Sequence, residues 1–330
     1  MAKKILLTGG SGFIGNNLAR AMLAAGYHVR VLDNDSRGSR DRLDNLKGNI
    51  EIVTGDIRNA KTVRDACSDI DGIIHLAAVN GTKFFYSMPE VVLDVAVRGM
   101  LNIIDASLWH GVEELYFASS SEVYQVPDKV PTSENVRMIV PDPYNPRYSY
   151  AGGKIISELL LLNYGKKYFR KAVVFRPHNV FGPDMGWEHV IPQFIIRLKR
   201  LLDNYNGKSP IKFPIQGSGE ETRSFIYIDD FVRAFMILLK KGKHMETYNV
   251  GTNQEISIEK VANLVAKYFK VKIQIIPGKL ASGGTTRRLP DIKKIKRLGF
   301  VPKVNLSQGI CMTSSWYNDN IHKFPVSEII

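Results

Sequence analysis

The run Lys3-Lys4-Ile5-Leu6-Leu7-Thr8-Gly9-Gly10-Ser11-Gly12-Phe13-Ile14-Gly15-Asn16-Asn17-Leu18 decides how the rest of the chain is read. An apolar segment leads straight into Gly9, Gly12 and Gly15, spaced three apart, and then into an amphipathic stretch ending near Gly26. That order predicts a strand, a tight turn and a helix. The need for glycine is steric. The turn demands unusual dihedrals, and a Cβ would keep a pyrophosphate from the backbone N–H groups at the helix start, where Phe13 and Ile14 lie. The next strand, Tyr27 to Leu32, ends at Asp33, 18 residues beyond Gly15. An acid there is placed to bond the adenosine ribose hydroxyls and to repel a 2′-phosphate. Glycines alone fit an ordinary turn; with Asp33 they mark a dinucleotide site, with NAD favoured over NADP.

Moving outward, Asn34-Asp35-Ser36-Arg37-Gly38 reads as a turn, followed by a basic amphipathic helix and a short strand, Asn49 to Val53. That strand stops at Thr54-Gly55-Asp56-Ile57-Arg58, where the Asp56 carboxylate is in position to reach an adenine amine. The fourth strand runs through His75, Leu76, Ala77 and Ala78, and its small residues let a cofactor lie against the backbone. His75 itself reads as a satisfied strand-end histidine. The segment Val79 to Pro89, with Phe84, Phe85 and Tyr86, is too aromatic for a mere connector. A long helix to His110 and a fifth strand, Glu114 to Ala118, follow, and the strand ends in Ser119-Ser120-Ser121-Glu122-Val123-Tyr124. Strands and helices alternating at this rhythm predict an α/β fold, a Rossmann-type doubly wound parallel sheet whose ligands collect at the carboxyl ends of the strands.

The reacting groups are expected beyond that sheet. Tyr150 and Lys154 are four residues apart at the head of a predicted helix, so they share one face. A phenol titrates near 10 when free, and a nearby ammonium together with a cationic nicotinamide would push it down. Tyr150 is then able to take a proton from a substrate hydroxyl while hydride leaves the same carbon. A Tyr and a Lys at this spacing mean little alone; behind a dinucleotide fold, with Ser120 ending the preceding strand, they form a set.

Composition narrows the remaining choices. The 330 residues allow one large α/β core with an appended lobe. Cys67 and Cys311 are too few for a disulfide framework or a zinc knuckle, and the seven histidines show no ligand spacing, so no metal is expected. No charged-then-apolar leader and no membrane-length apolar run is present, which predicts a cytoplasmic protein without a membrane partner. The net charge of +13 is scattered and accompanies no nucleic-acid module, so nucleic acid is not an expected partner.

These residues resemble the extended short-chain dehydrogenase/reductase family, specifically its nucleotide-sugar epimerases, dehydratases and decarboxylases. The likeness runs through Arg176-Pro177-His178-Asn179, Gly217 to Asp230, Tyr248-Asn249-Val250-Gly251 and Arg287-Arg288-Leu289-Pro290-Asp291. It implies that Tyr150 is the general acid/base, that Lys154 bonds the nicotinamide ribose, and that Ser120 holds the reacting oxygen. Cofactor contacts are expected from Gly9, Gly12, Phe13, Ile14, Gly15, Asp33, Asn34, Ser36, Arg37, Asp56, Ile57, Leu76, Ala77, Ala78, Tyr150, Lys154 and Pro177. Substrate contacts are expected from Asn80, Thr82, Ser121, Glu122, Asn179, Val190, Arg223 and Arg288, with Asn179 and the two arginines chiefly on the diphosphate. The expected organisation is a dinucleotide-binding domain over 1–176, with 225–251 returning to it. A smaller, discontinuous α/β lobe for the nucleotide sugar is expected over 177–224 and 252–330. The resemblance also implies a homodimer built from the helices around Met100 and Lys154.

Members share oxidation of a sugar hydroxyl, usually at C4, by tightly held NAD, and they part at the fate of the keto sugar. An epimerase needs only room for it to turn over. A 4,6-dehydratase uses an Asp-Glu pair after its catalytic Thr, where this chain has Ser121 and Glu122. Decarboxylases of nucleotide uronic acids carry Ser-Glu there, so Glu122 joins the candidate catalytic residues. The expected activity is C4 epimerisation, with decarboxylation or dehydration as alternatives and an NAD-sensing binding module as the non-enzymatic one. Gln125 in place of a usual glycine, Ala96 in place of a usual Asn and Met100 in place of a usual Thr depart from the family pattern.

Overall fold

The computed structural model describes residues 2–46, 48–203, 205–207, 210–279 and 283–324. Its centre is a seven-stranded parallel sheet of β1 (Lys4–Thr8), β2 (His28–Asp33), β3 (Ile50–Thr54), β4 (Gly72–His75), β5 (Glu114–Ala118), β6 (Lys171–Pro177) and a late strand, Glu246–Val250. The order across the sheet is β3, β2, β1, β4, β5, β6 and then the late strand, so the direction of winding reverses between β1 and β4. That reversal opens a crevice above the strand ends, where the sequence places its glycines, Asp33 and Ser120.

Alternation along the strands explains why both faces are covered. Ile5 and Leu7 face one apolar cluster with Val31, Tyr116 and Phe175, whereas Leu6 faces the other with Leu32, Ile73, Leu115 and Phe117. Helices α1 (Phe13–Ala24), α2 (Ala60–Ala66), a short α3 (Thr82–Ser87), α4 (Pro89–His110) and α5 (Ser149–Tyr168) connect the first six strands. At the closest approach of α4 and α5, a Cβ on Gly153 would stand 2.7 Å from the Ala96 methyl. The Ala96 carbonyl accepts from Ser157 Oγ at 3.0 Å. A larger residue than alanine at position 96 would wedge the two helices apart.

The chain leaves the sheet at β7 (Val180–Phe181) and builds α6 (Val190–Leu202), β8 (Ile211–Pro214) and β9 (Thr222–Arg223). It returns on β10 (Ile226–Tyr227), which pairs with β7, and passes through α7 (Ile228–Lys241) into the late strand, β11. A last excursion forms β12 (Ile256–Ser257), α8 (Ile258–Tyr268), β13 (Ile273–Ile276), β14 (Arg287–Arg288), α9 (Lys293–Arg297) and α10 (Leu306–Asp319). Here β9 lies between β12 and β14, and β8 pairs with β13. Apolar residues of α6, α7 and α8 join those of the main sheet in one cluster, so a single core underlies both parts.

Two local expectations change. The basic segment after Gly38 is a 3-10 turn over Arg40–Leu46 rather than an amphipathic helix. It is pinned at one end by Arg40 on Asp35 and in the middle by Arg42, which forks onto Asp184 at 2.7 and 2.8 Å. The aromatic segment after Ala78 is not a plain loop, because it contains α3. The final residues of the expected lobe, 325–330, lie outside the described residues.

Candidate active site

One cleft of about 840 Å³ crosses the strand ends, and every residue that the sequence nominates for cofactor or substrate lines it. Its floor begins with the glycine turn. Gly9 has φ +74°, and a Cβ there would meet the Ala77 backbone nitrogen at 2.8 Å. At Gly15 a Cβ would lie 2.2 Å from the Gly9 carbonyl oxygen, so this glycine lets the helix sit on the turn rather than clearing room for a phosphate. Helix α1 starts at Gly12 with no side-chain cap, which leaves its first N–H groups open toward the cleft. Asp33 accepts from the Ser11 and Asp35 N–H groups, both at 2.9 Å, and so fixes the turn. An uncapped helix start, a cradle that no Cβ would permit and an acid ending β2 together fit an adenine dinucleotide.

Around this floor, Asp56 is gripped by Arg58 at 2.7 Å and also accepts from Asn34. The Arg58 hydrogen bond holds its carboxyl below the usual range. Arg37 lies across the cleft mouth, with its guanidinium 4.1 Å over the Phe84 ring and bonded to Glu188 at 2.7 Å. His75 is buried and bonded to Thr8 Oγ1 at 2.7 Å, and burial beside Lys154 pushes it down to about 3, so it is a neutral structural group.

The reacting end combines three elements. Ser120 closes β5, and its Oγ accepts from Glu122 N at 3.1 Å, which starts the 3-10 turn Ser121–Tyr124. Tyr150 and Lys154 rise from the first turns of α5, and both line the cleft with Ser120. Lys154 Nζ donates to the Ala118 carbonyl at 2.7 Å and lies 5.7 Å from the Tyr150 ring. Burial pushes Lys154 down to about 7 against the pull of Glu158. Burial likewise raises the Tyr150 phenol above its ordinary value, with Ser120 opposing and Glu122 adding to it. From the sequence, the ammonium is expected to lower the phenol. In the protein alone desolvation wins, because Lys154 spends its proton on a backbone carbonyl and is itself costly to charge.

The substrate side differs from expectation in its pairings. Arg288 Nη1 bonds Glu122 Oε1 at 2.6 Å, while its buried Nε has no partner among the described residues. Arg223 donates to carbonyls of Thr222, Thr285 and Thr286. Arg147, read from sequence only as part of a turn, brings a third guanidinium to within 3.7 Å of Glu122. Burial alone would raise Glu122, but Arg288, Arg147 and Arg223 outweigh it and hold the carboxyl below the usual range. The signal for Arg147 was its place three residues before Tyr150, on the turn that opens α5. Asn179 adopts φ +36° and donates to the Ser224 carbonyl at 2.8 Å. Gln125 shows why its position favours glycine: it is buried at φ +49°, and its Nε2 closes the turn on the Glu122 carbonyl at 2.7 Å.

A doubly wound sheet with a Ser, Tyr and Lys set at its strand ends defines a short-chain dehydrogenase/reductase-type enzyme. The chain belongs to the NAD dependent epimerase/dehydratase family, whose sequence profile matches residues 5–251, and it is an NAD-dependent enzyme of the extended short-chain group. It is 31% identical over 329 residues to a UDP-N-acetyl-alpha-D-glucosaminuronate decarboxylase of Bacillus cytotoxicus, covering 97% of this chain and 99% of that protein. It is 30% identical to the human dTDP-D-glucose 4,6-dehydratase, covering 98% and 92%. Among solved structures it resembles the UDP-glucose 4-epimerase of Thermotoga maritima, crystallised with UDP-glucose, at TM-score 0.84 and 27% identity over 96% of this chain and 99% of that one. Among the described residues no helix is long and apolar enough to cross a membrane, and no group of three or more His, Cys, Asp or Glu side chains could hold a metal ion.

Proposed function

We propose that the protein is a nucleotide-sugar 4-epimerase acting through a transient 4-keto sugar. The observation that carries this reading is the gathering of Ser120, Tyr150 and Lys154 at one end of a single cleft, with a neutral Ser121 beside them. NAD, when bound, supplies the hydride acceptor and donor. Ser120 holds the C4 hydroxyl, and Tyr150 removes its proton and later returns one. Arg223 and Arg288 take the diphosphate by charge-assisted bonds. Residue 121 carries no acid, which leaves a dehydratase without its usual proton donor for a departing C6 hydroxyl. Epimerisation requires no such group.

A second reading is favoured by the Glu122, Arg288 and Arg147 cluster, which offers cations beside the reacting end for the carboxylate of a nucleotide uronic acid. Oxidation at C4 would then be followed by loss of carbon dioxide. Product NMR on a panel of UDP-, dTDP-, GDP- and CDP-sugars in deuterated water separates these outcomes. C4-inverted product with C5 unlabelled supports epimerisation, solvent deuterium at C5 without loss of carbon dioxide argues for dehydration, and carbon dioxide from a uronic acid, with deuterium taking the place of the carboxylate on C5, argues for decarboxylation. Tyr150→Phe should lower turnover about 10²- to 10⁴-fold; an active variant would remove Tyr150 from this role.

We further infer the expected division into a dinucleotide-binding part and a sugar-nucleotide lobe, supported by the pairing of β11 with β6. A homodimer through α4 and α5 is supported by the exposed Leu93, Leu101, Leu108, Ile156 and Leu159 on those helices. Sedimentation showing a monomer at micromolar concentration would dispose of the dimer.

A further inference from the structure

The segment after Ala78 is too aromatic for a mere connector, and the reaction just proposed does not account for it. Gly81, at φ +128°, stands at the N-terminus of α3, which runs for a turn and a half. Phe85 projects from α3 onto Tyr150 with ring centroids 4.9 Å apart and planes inclined by only 15°. It is 3% exposed and, with Val92 of α4 and Tyr150, forms a small apolar cluster of its own, separate from the two main cores. A separate cluster around one functional side chain does little for the stability of the sheet beneath it.

We propose that Phe85 is a positioning residue for Tyr150, clamping the face of the phenol so that its hydroxyl points at Ser120 and solvent is kept from the ring. The proposal rests on the reading of Tyr150 as the acid/base. The surroundings leave the ring few alternatives. On its own helix Tyr150 faces Lys154, from the 3-10 turn it feels Glu122, and from the end of β5 it meets Ser120. The groups that α3 and α4 bring into its cluster are Phe84, Phe85 and Val92, all apolar. Stacked aromatic rings resist sliding and tilting, and a phenol held against one carries little water on that face. The proton therefore leaves toward Ser120 and the substrate oxygen and not to bulk solvent. The same short helix ties this clamp to the cleft mouth, because its neighbour Phe84 lies under the Arg37 guanidinium, which in turn holds Glu188.

The test reads the phenol directly, so it does not depend on which sugar is the substrate. Protein loaded with NAD and labelled with ¹³C at tyrosine Cζ is titrated by NMR, with Tyr150→Phe identifying the signal. In Phe85→Ala the Tyr150 signal should titrate at least about one pH unit lower than in wild type, as water reaches the ring. Phe85→Leu, which keeps apolar bulk, should fall between, and it carries the test if the alanine variant does not fold. An unmoved titration in both variants overturns the proposal. With UDP-glucose as the kinetic probe, Phe85→Ala should lower kcat roughly 10- to 100-fold with KM nearly constant. A raised KM at unchanged kcat would instead make Phe85 a wall of the sugar pocket and overturn the clamp. No turnover of any nucleotide sugar by wild type, beside a shifted titration, sinks the epimerase reading and leaves the clamp standing.

Discussion

Two glutamate–arginine pairs, built from the same chemistry, behave in opposite ways in this molecule. Glu158 of α5 and Arg176 of β6 meet at 2.9 and 2.6 Å with side chains 0% and 4% exposed. The remaining donors of Arg176 go to the Tyr124 hydroxyl at 2.7 Å, the Glu134 carbonyl at 3.1 Å and the Met138 sulfur. Burial alone would lower this arginine, yet Glu158 holds it above its ordinary value. Glu122 and Arg288 also meet closely, but in the cleft, with Glu122 21% exposed, a second arginine alongside and one guanidinium nitrogen without a partner among the described residues. The difference teaches that counting ion pairs says little about their purpose. A pair whose donors are all spent belongs to the framework, and one with a donor in hand and surplus positive charge is set to receive an anion.

The largest expected effect breaks the framework pair. Glu158→Gln should cost about 3–5 kcal/mol in urea unfolding, because it strands Arg176 in a dry interior. A cost below 1 kcal/mol would show that the pair is not structural. Next comes Lys154, whose charge Glu158 helps to sustain. A lysine lowered by burial to about 7 destabilises the fold fully below that pH, and the penalty disappears as pH rises through its unfolded value near 10.4. In cofactor-free protein, Lys154→Met should therefore gain stability relative to wild type at pH 6–7. That advantage should shrink by roughly 4 kcal/mol toward pH 10.5. A difference that stays flat across that range, measured by chemical unfolding at each pH, would place the ammonium in a wetter site than its contacts imply. The smallest effect on stability falls on the cleft pair. Glu122→Gln should change unfolding by no more than about 1 kcal/mol while tightening UDP severalfold by calorimetry, since it removes a carboxylate from among the arginines. Weaker UDP binding would mean that Glu122 is needed to aim Arg288.

The fold was legible because it is written locally. Ile5, Leu6 and Leu7 feeding into Gly9, and Glu114 to Ala118 running into Ser119, announce strands and their ends, and the alternation of faces comes from period two. The residues gathered in the cleft were legible for the same reason, since each sits at a strand end or a helix start. What could not be read was who pairs with whom. Arg147 and Arg288 are far apart in sequence and become neighbours of Glu122 only through tertiary packing. The balance between burial and charge at Tyr150 depends on Phe85, whose contact with it spans 65 residues. The 3-10 turn over Arg40–Leu46 misled for another reason: its pattern suits a helix, but Arg42 is anchored to Asp184 on a distant loop. Gln125 was visible as a departure, yet its explanation needed a backbone angle.

The pairing of β7 with β10 has a consequence beyond geometry. The chain departs after Phe181 and rejoins at Ile226, beside the strand it left. The intervening 44 residues are thus spliced into the enzyme like a cassette with adjacent ends, a kind of join that domain insertion tolerates well. Recombination among relatives could replace such a block, and with it the cleft-lining start of α6 and Arg223, without rerouting a single strand of the parallel sheet. New substrates would then be acquired by exchange while the machinery for moving hydride was inherited whole.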